Sequence, residues 1–301
     1  MAWKGVHLSR SARLNTADGQ VVVAQDDGEV RLPLEDVAYI VLDAHAALTS
    51  TLLSACMEAG IVIISVDQRH TPNGMMLPFH SHHRQAGVAA AQLAISEPFR
   101  KRCWQRVVTA KIENQAANLE LCGRAGSDAL AAMARRVGSG DPENIEARAA
   151  RDYWRNLFVD FIRDDPADLR NKLLNYAYAV LRAGVARALV AYGLLPSVGL
   201  NHASITNAFN LADDLIEPFR PFADRLCFAR SRDRDADEEM TIEDRRAMAG
   251  ILMQNCRIGE ETVSLLVATE KVAEGLVRSI DASSPLLLLL PRLPDAGKAG
   301  P

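Results

Sequence analysis

The chain has 301 residues, 49% hydrophobic and 24% charged, with a formal net charge of −4. That length can bury a substantial core in two domains or one large one, and the balance excludes the overall basic excess that usually accompanies nucleic-acid binding. Apolar runs such as 286–290 are too short to span a membrane, and five scattered cysteines without a Cys-x-x-Cys pair argue against a disulfide framework or structural zinc. With no secretory pattern at the amino end, the protein is expected in the cytoplasm with its thiols reduced.

Up to about residue 78 the chain reads as short strands separated by turns. Strand patterns occupy 3–8, 12–15, 20–25, 29–32 and 37–42, and Asp18-Gly19 and Asp27-Gly28 suit tight hairpins. A helix is expected over 49–59, closed by Gly60, then a buried strand over 61–66. Residues 71–74 read as a turn and 75–79 as a last extended piece. After His80, alanine, leucine and arginine at helical spacing predict helices over 84–94, 98–122, 127–137, 143–163, 167–193, 204–227, 242–255 and 260–280, with Ser127 and Thr241 as N-caps. Residues 285–301, rich in proline, glycine and alanine, are expected to fray. The fold class is α+β, a small N-terminal β-rich domain over 1–80 followed by a larger all-helical domain over 81–301.

The densest chemistry lies in 201–221. Asp214 and Glu217, three apart, fall on one face of a helix, with His202 twelve and fifteen residues upstream. A second stretch, Ile145-Glu146-Ala147-Arg148-Ala149-Ala150-Arg151-Asp152-Tyr153-Trp154, sets an acid where an apolar stripe begins, followed by small residues that let another helix approach. Carboxylates with one imidazole form a hard donor set that suits Mg²⁺ or Mn²⁺ and leaves positions for phosphate and water. Such an ion supports phosphodiester cleavage or strand transfer, which differ only in the nucleophile. Structural readings stand beside this one: Glu146 paired with Arg148, Arg151 or Arg155, His202 as a helix-start residue, and Glu217 paired with Arg220.

Together the two stretches resemble the CRISPR-associated adaptation integrases, the "Cas one" family, in particular its type II form. In that family a glutamate before an Ala-rich helix with an aromatic pair, a histidine in a Leu-x-His context and an acid in an Asp-Leu-x-Glu-Pro-Phe-Arg segment bind one divalent cation. The matching positions are Glu146 with Tyr153 and Trp154, His202 with Leu200, and Glu217, with Asp214 as the alternative acid. The resemblance covers nearly the whole chain, including Pro72-Asn73-Gly74 to Pro78-Phe79-His80 at the family's domain junction. It implies a metal-dependent endonuclease and integrase that inserts short foreign DNA segments into a CRISPR array by 3′-hydroxyl attack. It also implies a homodimer, a heterohexamer with the small second adaptation protein ("Cas two"), and double-stranded prespacer and repeat DNA. In type II systems the effector nuclease and a further adaptation subunit join. Two rivals remain: a structure-selective nuclease on branched or repair DNA, and a non-catalytic scaffold in which Glu146, His202 and Glu217 form a buried polar network.

Basic residues cluster at Arg100, Lys101, Arg102, Arg106 and Lys111, at Arg135 and Arg136, and at Arg148, Arg151 and Arg155. Charge alone reads these as solvated helix faces, whereas the resemblance makes 100–111 and Arg148, Arg151 and Arg155 expected phosphate contacts. His80, His82 and His83 form a zinc-like string without a companion ligand, so they are read as polar contacts at the junction, outside the site. Pro218, directly after Glu217, is expected to break the helix there.

Overall fold

The structure, a computed structural model, describes residues 4–79 and 82–294, so His80 lies outside it. Its first part runs β1 (Lys4–Leu8), β2 (Ala12–Ala17), β3 (Gln20–Gln25), β4 (Gly28–Pro33), β5 (Val37–Leu42), β6 (Ala46–Leu48), α1 (Ser50–Glu58), β7 (Val62–Val66) and β8 (Pro72–Met76). Two four-stranded sheets result, ordered β1-β5-β7-β8 and β4-β3-β2-β6. Asp18 and Gly19, both at positive φ, turn β2 into β3. The Thr49 hydroxyl caps α1 by accepting from the Leu52 amide, and Gly60 follows at φ 68°.

The second part is mostly helical: α2 (Gln85–Leu93), α3 (Glu97–Leu121), α4 (Ser127–Ala134), α5 (Ile145–Leu157), α6 (Leu169–Ala191), α7 (Asn210–Leu215), α8 (Arg220–Ser231), α9 (Ile242–Ala249) and α10 (Leu265–Asp281). α6 is buried along most of its length, with α7, α8, α9 and α10 packed against it. The sheet β1-β5-β7-β8 is covered on both faces, which is why β5 and β7 are nearly continuous apolar runs. Ile40, Ile61 and Ile63 join α1 in one core, while Tyr39, Val41, Val62 and Ile64 join the core of the helices. At the same joint the buried Asp43 carboxylate lies 2.9 Å from His7 Nε2 and 2.6 Å from His70 Nδ1, and accepts from Arg245 Nε of α9 at 2.7 Å.

Several local expectations are corrected. Residues 72–76, read as a turn and an extended piece, form the edge strand β8, where Pro72 as first residue needs no ladder amide. The helices expected over 242–255 and 260–280 are shortened by a hairpin, β9 (Asn255–Ile258) and β10 (Glu261–Ser264), turned by Gly259 at φ 58°. Residues 204–209 are not helical, and α5 stops at Leu157. Gly126, not Ser127, is the N-cap of α4, whereas Thr241 caps α9 in a reciprocal box with Asp244. The segment 285–294 is anchored, not frayed: Leu288 is buried, Arg292 exchanges backbone bonds with Arg257, and Leu293 N donates to Asn114 Oδ1 at 3.0 Å. Residues 295–301 lie outside the described ones.

Candidate active site

Glu146 sits in the first turn of α5. The Asp141 carboxylate accepts from the amides of Ile145 and Glu146, both at 2.9 Å, satisfying donors that a helix start leaves open. Ile145 and Ala149 are fully buried, so α5 lies close against α3 and α4 with Glu146 beside α3. Small side chains on this face permit that approach.

Glu217 reaches the same place from another direction. Because Pro218 has no amide, Phe219 N donates to Ile216 O at 2.8 Å, and a single 3-10 turn over Glu217–Phe219 separates α7 from α8. The expected break is this switch of helix type. Asn114 Nδ2 of α3 donates to Pro218 O at 2.7 Å and fixes the turn against α3. Glu217 Oε1 accepts from Arg220 Nε at 2.8 Å, so the pairing foreseen as a structural reading does form.

The third group is a lysine. Lys111 Nζ, on α3, donates to Glu146 Oε1 at 2.7 Å and lies 2.5 Å from Glu217 Oε2. Only 12% of its side chain is exposed. Burial works against the lysine's charge, but Glu217 and Glu146 outweigh it and raise its pKa. Burial likewise opposes the Glu217 charge, and Arg220 and Lys111 overcome it, holding that carboxyl at about 2. Glu146 thus pairs with Lys111; among the described residues it has no ion pair with Arg148, Arg151 or Arg155.

Asp214, three residues before Glu217, takes different partners from it. It is fully buried and holds the loop before α7: Oδ2 accepts from Leu200 N at 2.5 Å and Asn201 N at 3.0 Å, and Oδ1 from His202 N at 3.1 Å. The His202 ring Nδ1 lies 2.7 Å from the same Oδ1. Gly199 allows this wrapping, since a Cβ there would overlap the His202 carbonyl and the Asp214 carboxylate. The bond to Asp214 raises the His202 pKa against the opposing effect of burial. With Nδ1 occupied, Nε2 is the nitrogen left for a ligand. The half-exposed ring meets Trp104 edge-on at 6.0 Å, two turns along α3 from Lys111.

The structure therefore brings Glu146 and Glu217 together through Lys111 and sets His202 on Asp214 and Trp104. Among the described residues no three His, Cys, Asp or Glu side chains are close enough to hold a metal. The donor chemistry nevertheless fits a hard divalent cation: two carboxylates converge on one cation, Lys111, no thiolate is near, and the buried Glu217 Oε2 has no partner besides that ammonium. A cleft of about 140 Å³ beside Glu217 is lined by Lys111, Arg163, Tyr178, Arg220 and Asp224, among others. Behind it the buried Asp224 carboxylate accepts from the hydroxyls of Tyr153, at 2.9 Å, and Tyr178. Burial pushes the Asp224 carboxyl up to about 7. The Arg220 guanidinium lies 4.5 Å over the Tyr178 ring, so the network also fixes the partner of Glu217.

Sequence reasoning missed Lys111, although it lies on the inward stripe of α3 with Trp104, Val108, Gln115 and Asn118, where a lysine needs a partner. Within the 100–111 stretch Arg100, Lys101 and Arg102 are exposed, Lys111 points inward to the two glutamates and Arg106 donates to Leu288 O at 3.1 Å. Arg148, Arg151 and Arg155 are exposed. At 3.6 residues per turn they lie roughly 140–200° around α5 from Glu146, on its outer face. The His82 and His83 rings lie 4.7 Å apart, tilted by 35° to one another.

A family model described as CRISPR associated protein Cas1 matches residues 6–258. A CRISPR-associated endonuclease Cas1 of Neisseria meningitidis serogroup C is 35% identical over 295 residues, 97% of each chain. Another, of Thermus thermophilus, is 30% identical over 254 residues, 79% of this chain and 75% of its own. Among solved structures, a Cas1 protein from Thermotoga maritima matches with a TM-score of 0.72 at 18% identity, covering 92% of this chain and 97% of that one. A casposase bound to integration product matches at 0.75 and 17% identity, covering 98% and 94%. At such identities the likeness concerns the fold, a β-rich part followed by helices. Family match, full-length relative and shared architecture agree: the chain belongs to the Cas1 family of CRISPR-associated proteins.

Proposed function

We propose that the protein is the adaptation integrase of a type II CRISPR system, a Mg²⁺- or Mn²⁺-dependent endonuclease that joins short foreign DNA segments to the repeat by 3′-hydroxyl attack. The observation that carries this reading is the convergence of Glu146 and Glu217 on one buried cation position, with His202 within electrostatic reach of Glu217. Glu146, Glu217 and His202 Nε2 would hold the ion. When bound, it supplies Lewis-acid polarisation of a phosphoryl oxygen. Asp214 keeps His202 in the tautomer that frees Nε2, and Arg220 holds Glu217 ionised. Arg148, Arg151 and Arg155 contact phosphates on the outer face of α5, giving largely sequence-independent, salt-sensitive binding.

The working unit in this reading is a homodimer, two of which flank a dimer of the second adaptation protein around duplex DNA, with the effector nuclease and a further subunit joining in the cytoplasm. Fold neighbours support the second adaptation protein and DNA as partners: one is a Cas6-RT-Cas1–Cas2 complex (TM-score 0.74, 18% identity) and one a TtCas1–DNA complex (0.57, 14%). Among the described residues no helix is long and apolar enough to cross a membrane. The test is joining of a labelled duplex into a repeat-bearing plasmid with Mn²⁺. Glu146→Ala, His202→Ala and Glu217→Gln should each abolish joining. Shortened fragments without joined product would favour the structure-selective nuclease, and a melting temperature indifferent to Mn²⁺ would favour the scaffold.

A further inference from the structure

Lys111 occupies the point where the two carboxylates meet. Its ammonium is within ion-pair distance of Glu146 Oε1 and Glu217 Oε2, at 2.7 and 2.5 Å, nearly removed from solvent. Arg220 serves the other oxygen of Glu217, which leaves Oε2 to Lys111. Two carboxylates held so close in a dry site repel unless a cation stands between them.

We propose that Lys111 is the built-in counter-cation of the metal-free site: it preassembles Glu146 and Glu217 and must withdraw before a divalent ion can bind. The inference rests on the reading of these residues as metal ligands. A lysine suits the role because its charge is compact and its four-carbon stem swings freely, whereas an arginine fork would lock the pair. The adjoining cleft, which Lys111 lines with Gln115, Tyr178 and Asp224, gives the displaced ammonium a polar refuge where a DNA phosphate would supply its new partner. Lys111 is thus a positioning residue that sets the threshold for metal loading.

Mn²⁺ binding, followed by loss of the free-ion electron paramagnetic resonance signal, tests this on full-length wild type, Lys111→Met and Lys111→Arg. Lys111→Met should bind at least tenfold more tightly than wild type, and Lys111→Arg should stay within about threefold of it. Equal or weaker binding by Lys111→Met, which a purely structural role predicts, would overturn the inference, as would equal tightening by both variants. Should Lys111→Met not fold, lysine acylation of wild type read by mass spectrometry decides. Saturating Mn²⁺ should raise labelling of Lys111 at least threefold, with the exposed Lys101 as reference, and unchanged or reduced labelling would refute displacement. No Mn²⁺ binding by any folded form would instead sink the metal-site reading itself.

Discussion

Asp214→Asn separates a metal ligand from a residue that positions one. The buried carboxylate takes four hydrogen-bond donors, the amides of Leu200, Asn201 and His202 and the ring of His202. Asparagine retains one acceptor oxygen for two of these donors and turns its own N–H groups on the other two. Hydrogen bonds to a charged group contribute about 1.5–3 kcal/mol each, so losing two costs roughly 3–6 kcal/mol. For a chain of this size that lowers the melting temperature by roughly 6–12 °C, at about 2 °C per kcal/mol. His202→Ala is the control: its side chain is 46% exposed, and its removal should cost no more than about 1 kcal/mol. Metal binding should rank in the opposite sense. Loss of a partner behind a ligand typically weakens affinity about 10–100-fold, so Asp214→Asn should still bind Mn²⁺, whereas His202→Ala loses a ligand outright. Thermal melts by circular dichroism and Mn²⁺ titration of both variants read the two effects. Melting of Asp214→Asn within 2 °C of wild type together with no Mn²⁺ binding would refute the reasoning and return Asp214 to the ligand set.

Replacing Arg148 and Arg151 together by alanine should weaken duplex binding irrespective of sequence and flatten the slope of log affinity against log salt by about 2; an unchanged slope would assign these arginines to structure. Glu217 has its carboxyl lowered in the fold from 4.5 to about 2, so its stabilisation is complete above pH 4.5 and lost as pH falls towards 2. The stability gap between wild type and Glu217→Gln, from urea titrations, should therefore shrink by roughly 3 kcal/mol between pH 5 and pH 2, and a constant gap would contradict the pairing with Lys111 and Arg220. Pro218→Ala restores an amide that favours continuous α-helix, and Mn²⁺-dependent joining should drop while the gel-filtration profile stays unchanged. An unaltered rate would leave the proline as a tolerated kink.

The elements that were legible in the sequence are those whose signals are local. Asp18-Gly19 turns a hairpin, Thr49 and Gly60 bracket α1, and Thr241 opens α9, because a cap or a turn is satisfied within four residues of itself. The elements that were missed depend on a partner outside themselves: β8 needs β7, β9 needs β10, and the 285–294 segment needs the remote Asn114 and Arg257. The same division runs through the site. Motif resemblance identified Glu146, His202 and Glu217 as candidates, and Pro218 announced the change of helix type after α7. Only the tertiary structure turned Asp214 into the loop before α7 and drew Lys111, 35 residues from Glu146, between the two glutamates. Helical spacing states which side chains share a face, but not which residue of another helix that face will meet. That choice is made by packing: burying Ile145, Ala149 and the Pro218 turn against α3 leaves two carboxylates in a dry place that one ammonium can reach.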